Sequence, residues 1–196
     1  MIQSWIFSEY SMTKLIIIGA IVLIAFLGYQ SYMANETPIV GEKSPDFNLP
    51  DSKGNIHNLA QYTGKWLVLY FYPKDDTPGC TAQACNFRDD LHKLEKLGAK
   101  VIGVSVDGGR SHAMFAKKYN LPFALLSDET GAVAKEYGAL TDLGFFKIAK
   151  RYTFLIDPNG ILRKSYFSVD TSRHSQQIID DLITLQHEKI GALEIN

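Results

Sequence analysis

The sequence contains little cysteine: among 196 residues there are only two, Cys80 and Cys85. Two thiols in a chain of this length do not make a structural disulfide framework, so they are either incidental or chemical. A structural zinc site needs four ligands, and the five histidines are scattered along the chain. We therefore expect no metal and no cofactor.

An excess of charge of one sign is also lacking. The chain has 20 Lys and Arg against 21 Asp and Glu, a net charge of −1. The absence of a basic patch excludes nucleic acid as an expected partner, and no acidic tail is present. The composition, 46% hydrophobic and 21% charged, is that of a globular protein with one domain of about 150 residues and a short extra segment.

One long apolar run stands near the N-terminus, at Leu15–Tyr29. Extended to residue 34 it is long enough to cross a hydrocarbon core, and it predicts a transmembrane signal anchor over residues 15–34. A cleaved signal peptide is the competing interpretation. We disfavour it because cleavage after Ala34 or Ser31 would place Tyr32 or Tyr29 where the peptidase needs a small residue.

This interpretation divides the chain into a tail (residues 1–14), the anchor (15–34), a linker (35–44) and a domain (45–196). Lys14 precedes the predicted span, whereas Glu36, Glu42 and Lys43 follow it. The positive-inside bias then slightly favours a single-pass, membrane-anchored protein whose domain lies outside the cytoplasm, on the periplasmic side.

The domain alternates predicted strands and helices. A hairpin is expected within residues 45–59, then a β-α-β-α-β series, then a second hairpin and a final helix. Trp66–Tyr72 is a continuous apolar run of strand length, typical of a strand buried on both faces. The order predicts an α/β fold with a mixed, thioredoxin-like sheet and an N-terminal hairpin.

The stretch Phe71–Cys85 combines the end of that strand, a Pro- and Gly-containing loop and the start of a helix. A cysteine just after such a loop lies in the first helical turn, where free N–H groups and the helix dipole favour a thiolate. Thiolates are the reactive form of cysteine. We therefore interpret Cys80 as a nucleophile.

Cys80 and Cys85 are too far apart to bridge on an intact helix. Five residues separate their Cα atoms by roughly 8–9 Å, and a disulfide needs less than about 7 Å. If they react together, the first turns must unwind, which favours a redox cycle with a conformational step over a static disulfide.

At this loop the sequence resembles the peroxiredoxin family through the pattern Pro73-x-x-x-Thr77-x-x-Cys80. The finer resemblance is to the peroxiredoxin Q or bacterioferritin comigratory protein group, which places its second cysteine five residues on. Further stretches match the group: Ser44–Phe47, Phe71–Lys74, Phe87–Asp89, Val104–Asp107, Leu125–Asp128 and Arg151–Asp157.

The resemblance implies a thioredoxin-dependent peroxidase for hydrogen peroxide and organic hydroperoxides, commonly a monomer. It implies that Cys80 is the peroxidatic and Cys85 the resolving cysteine, joined in a transient disulfide. It further implies that Thr77 orients peroxide, Pro73 shields the thiolate and Arg151 stabilises the leaving oxygen.

Two departures from the group stand out, and two other functions compete. Gln83 replaces a Glu found in many relatives, with little expected effect, and the stretch Ala139–Lys150 is shorter and more apolar.

A membrane-anchored thiol–disulfide oxidoreductase would need a two-residue gap between its cysteines instead of four. A copper chaperone would need a three-residue gap and a distant histidine, for which His174 is the candidate.

Overall fold

The computed structural model describes residue 12, residues 14–26 and residues 37–194. Residues 14–26 are helical and belong to helix α1. In the part of the chain that the structure describes, no helix combines the length and apolar character needed to cross a membrane.

The predicted transmembrane helix, and the membrane-anchored localisation derived from it, are therefore wrong. An apolar run reports composition, whereas a span needs a helix that is both continuous and apolar over about 30 Å, and no helix among the described residues meets that requirement. Residues 27–34 of the predicted span, and most of the predicted tail, lie outside the described residues. The boundary at residue 45 stays a prediction, although residues 41 and 44 already hydrogen-bond through their backbone to the segment 160–162.

A five-stranded mixed sheet is the centre of the unit from Thr37 onward. From one edge to the other, its strands are β5 (Ala124–Ser127), β4 (Ala99–Ser105), β3 (Trp66–Phe71), β8 (Thr153–Ile156) and β9 (Leu162–Tyr166). β3, β4 and β5 are parallel to one another, β8 runs antiparallel to β3, and β9 runs antiparallel to β8. The predicted mixed, thioredoxin-like α/β arrangement is confirmed.

Four helices follow strands of the domain: α2 (Pro78–Lys96), α3 (Gly109–Tyr119), α4 (Ala132–Glu136) and α5 (His174–Glu194). A 3₁₀ turn covers Leu59–Tyr62. α2 begins with proline at its first position, where a missing N–H costs nothing. Two small hairpins complete the fold, β1 (Asn48–Pro50) with β2 (Ile56–Asn58) and β6 (Leu140–Asp142) with β7 (Lys147–Ala149). The first was predicted and the second was not.

The core lies on both faces of the sheet, as the apolar run of β3 predicts. Leu67, Leu69 and Phe71 face one cluster, which also holds side chains of α4. Val68 and Tyr70 face the other, which holds side chains of α2, α3 and α5. This alternation follows from the period of two along a strand, and it fixes the end of β3, where the reactive loop begins.

Candidate active site

The Cys80 thiol lies in the first turn of α2, immediately beyond the end of β3. Thr77 is the N-cap, with an extended backbone and no side-chain cap bond, and the helix begins at Pro78. The first intrahelical bond in this turn runs from the Thr81 amide to the Thr77 carbonyl, 2.9 Å. The amides before it are unpaired by the helix, and with the helix dipole they favour negative charge at this end.

Cys80 is only 1% exposed and forms no disulfide. Burial without partners would disfavour a thiolate, so the partners of the sulfur decide its reactivity. The predicted cation provides one: Arg151 Nη2 donates to Cys80 Sγ over 3.3 Å. The two residues are 71 positions apart in the sequence, and the fold brings them together as predicted.

Arg151 is held in place by a second contact that the sequence did not predict. Its Nη1 donates to Gln83 Oε1 over 2.7 Å. Gln83 is 1% exposed and lies three residues after Cys80, so both side chains share one helix face. That spacing was a usable signal. The expectation that Gln83 matters little overlooked this contact.

Gly79 leaves the space that the guanidinium needs. A Cβ built at this position would lie 3.2 Å from Arg151 Nη2. The backbone of Gly79 has no unusual φ, so the requirement here is for close approach rather than for conformational freedom. A side chain at this position would crowd the guanidinium, which would have to shift by a few tenths of an ångström.

Thr77 and Pro73 lie in the loop before the helix, both half-buried. The Thr77 hydroxyl donates to the Lys74 carbonyl over 3.0 Å, which leaves its oxygen lone pairs to accept a hydrogen bond from a substrate. The next residue back, Asp76, has a positive φ of 58°. Its carboxylate accepts hydrogen bonds from Lys118 and Tyr119 of α3.

Cys85 is half-buried and unpaired, and α2 is continuous through both cysteines. Directly after it the helix is fastened to the rest of the domain. Asn86 Nδ2 donates to the Thr171 carbonyl over 2.7 Å, and Arg88 Nη1 donates to the Tyr119 carbonyl over 2.6 Å. The segment that can unwind is therefore bounded on its C-terminal side by these contacts.

His174, named above as the candidate histidine of a copper chaperone, is buried at 1% exposure. Its Nε2 lies 2.9 Å from Thr153 Oγ1, and its ring packs edge-on against Phe87 and Tyr166. Burial lowers the pKa of His174 to about 4. Both ring nitrogens have protein partners, and the described residues contain no cluster of three metal-ligating side chains.

Comparison with known proteins agrees with this geometry. The sequence model of the AhpC/TSA family matches residues 40–165. A putative peroxiredoxin bcp of Coxiella burnetii is 44% identical over 147 residues, which cover 73% of this chain and 97% of that protein.

Two solved structures are also similar. Peroxidoxin BcpB from Mycobacterium tuberculosis is 33% identical, with a TM-score of 0.71 over 74% of this chain and 96% of that one. A Xanthomonas campestris bacterioferritin comigratory protein, whose structures are described as giving insights into its alkyl peroxide reduction activity, is 32% identical. Its TM-score is 0.65, over 70% of this chain and 90% of that one. The family match, the high coverage and the Arg151–Cys80 contact lead to one conclusion: the chain belongs to the AhpC/TSA family, as a thiol-specific peroxidase of its peroxiredoxin Q and bcp group.

Proposed function

We propose that Cys80 is the peroxidatic cysteine of this enzyme. Its thiolate attacks one peroxide oxygen, so that a sulfur–oxygen bond forms and the oxygen–oxygen bond breaks. The departing oxygen takes the electron pair and a proton and leaves as water or alcohol, and Cys80 is left as a sulfenic acid. The observation that carries the proposal is the 3.3 Å contact between Arg151 Nη2 and Cys80 Sγ at the start of α2.

Three groups support the transition state in this proposal. Arg151 is a cation beside the sulfur, placed to stabilise charge on the departing oxygen. The unpaired amides of the first turn of α2 are fixed donors of the same kind. Thr77 is the third: its hydroxyl oxygen accepts a hydrogen bond from the peroxide O–H. Pro73, in the same loop, limits the access of water to the thiolate.

We propose that Cys85 is the resolving cysteine. Its thiolate attacks the Cys80 sulfur, a sulfur–sulfur bond forms, and the hydroxyl of the sulfenic acid leaves as water. Residues 80–85 must leave the helical conformation for this step. An external dithiol of thioredoxin type then reduces the disulfide by exchange and is itself oxidised.

For the substrate we propose hydrogen peroxide and alkyl hydroperoxides. The Xanthomonas relative, which is described by its alkyl peroxide reduction activity, supports the second class. We further propose that the protein acts as a monomer, since Cys80, Cys85 and Arg151 all come from one chain.

Rapid mixing with hydrogen peroxide or tert-butyl hydroperoxide tests the two cysteine roles. We expect the wild type to consume peroxide and form an intramolecular disulfide, detected as the loss of two thiols. Cys85→Ser is expected to consume one equivalent and stop at a sulfenic acid that dimedone labels, and Cys80→Ser to consume none. Peroxide consumption by Cys80→Ser at the wild-type rate would refute the proposal.

A further inference from the structure

A closed set of buried hydrogen bonds adjoins the active-site loop, residues 73–77. The Tyr72 hydroxyl donates to Asp75 Oδ1 over 2.7 Å. His112 Nδ1 lies 2.8 Å from Asp75 Oδ2 and 3.3 Å from the Tyr72 oxygen. None of the three is exposed by more than 7%. In the sequence, Tyr72 lies directly before Pro73 and Asp75 lies two residues after it. Asp75 also lies two residues before Thr77.

The chemistry of the groups assigns the proton on the histidine. An ionised carboxylate only accepts hydrogen bonds, so His112 Nδ1 carries a proton and donates it to Asp75. Burial alone would raise the pKa of Asp75, but hydrogen bonds from His112, Ser111 and Tyr72, with the His112 charge, hold it below its ordinary value. The carboxylate therefore stays charged and hydrogen-bonded in a buried position.

His112 brings a cost that packing alone does not explain. Its Nε2 is buried and has no hydrogen-bond partner, and an unsatisfied buried polar atom costs about 1–3 kcal/mol. An apolar side chain would fill the same volume without that cost. The contact with Asp75 is the favourable interaction in which this histidine takes part.

Asp75 is fixed by more than its carboxylate. Its amide donates to Asp107 Oδ2 over 2.8 Å, and the same oxygen accepts the Ser105 hydroxyl over 2.9 Å. The loop is therefore tied at its centre to the end of β4 and to α3, elements more than 30 residues away in sequence. By contrast, Asp76 is tied to Lys118 through an exposed ion pair, a kind of contact that contributes little.

We propose that His112 is a positioning residue for the peroxide reaction. Through Asp75 it holds residues 73–77 so that the Thr77 hydroxyl and Pro73 stay at the reacting sulfur. Activation of the thiolate is a separate task, performed by Arg151 and the start of α2. The inference rests on the proposed peroxidase function and adds a residue outside the motif.

Two rate constants separate these tasks. The reaction of Cys80 with peroxide needs both the thiolate and the positioned loop, whereas alkylation by iodoacetamide needs the thiolate alone. In Cys85→Ser protein, where only one reactive thiol remains, we expect His112→Phe to lower the peroxide rate constant by about 10- to 100-fold. The alkylation rate constant is expected to stay within about twofold of the starting protein.

Three further variants complete the experiment. His112→Asn keeps an N–H donor for Asp75 and is expected to restore most of the peroxide rate. Lys118→Ala, which removes the exposed ion pair with Asp76 in the same loop, is expected to leave both rates unchanged. Asp75→Ala should show the same split as His112→Phe and replaces it if that variant does not fold, as judged by circular dichroism.

The inference is overturned if His112→Phe reacts with peroxide at the starting rate, or if peroxide and alkylation rates fall in parallel. These outcomes differ from a failure of the proposed function, in which the protein with both native histidine and native Cys80 would itself fail to consume peroxide.

Discussion

At the scale of single residues, the hydrogen bond from the Arg151 guanidinium to Cys80 Sγ is the most informative contact of the site. We expect Arg151→Ala to slow the peroxide step by about 2–4 kcal/mol, or roughly 30- to 1,000-fold, as for the loss of one preorganised donor. Arg151→Lys is the matched control: it keeps the charge but loses the fork that reaches Cys80 and Gln83 together, and an intermediate rate is expected. Stopped-flow peroxide consumption measures all three proteins, and an unchanged rate in Arg151→Ala would exclude the assigned role.

Gln83 offers a second test at this scale. In Gln83→Glu a carboxylate would face Arg151, offset its charge and disfavour the nearby thiolate. We expect iodoacetamide to alkylate Cys80 about tenfold more slowly at neutral pH. Gln83→Met has a similar volume and no charge, so it separates the loss of the hydrogen bond from the added negative charge. Equal alkylation rates in wild type and Gln83→Glu would contradict this account.

At the scale of elements, the proposed formation of the disulfide depends on the unwinding of the first turns of α2. Ala82 lies between the cysteines and outside the contacts that activate Cys80, and Gly in a helix costs about 1 kcal/mol relative to Ala. If unwinding precedes resolution, Ala82→Gly should form the disulfide about fivefold faster. The rate of sulfenic acid formation should not change. Both phases are visible in the intrinsic fluorescence after rapid mixing, and a disulfide phase that Ala82→Gly leaves unaltered would argue against unwinding as the slow step.

Elements also show how far the sequence predicts the structure. The buried strand β3, the helix that follows the reactive loop and the N-terminal hairpin were predictable because apolar runs, proline and turn residues act locally. The contact of Arg151 with Gln83, the hairpin β6–β7 and the burial of His174 depend on which surfaces meet after folding. The predicted membrane span was wrong because hydropathy reports composition alone, and no helix of the described residues combines the length and apolar character of a span.

At the scale of the whole molecule, His174 makes the stability depend on pH. Burial lowers its pKa from 6.5 to about 4, so between those values the unfolded chain binds a proton that the folded protein does not. Stability from this group is fully present above pH 6.5 and is lost as the pH falls toward 4, by about 2–3 kcal/mol. Urea unfolding from pH 7 to 4 should show the loss, and His174→Gln should flatten it. His187→Gln, at an exposed position on the same helix, should not. A wild-type stability that is flat over this range would contradict the prediction.

The continuity of α2 through both cysteines has a consequence for how the enzyme meets its partners. In the proposed cycle the reduced protein presents an ordered turn to a peroxide, whereas the disulfide form has to lose that turn. Oxidant and reductant therefore encounter two different shapes of the same segment. A reductant that recognises the unwound shape would bind only the oxidised protein and would release it once the helix re-forms. The helical form left by the reductant is then the one that reacts with peroxide, and the unwound form left by the peroxide reaction is the one that binds the reductant.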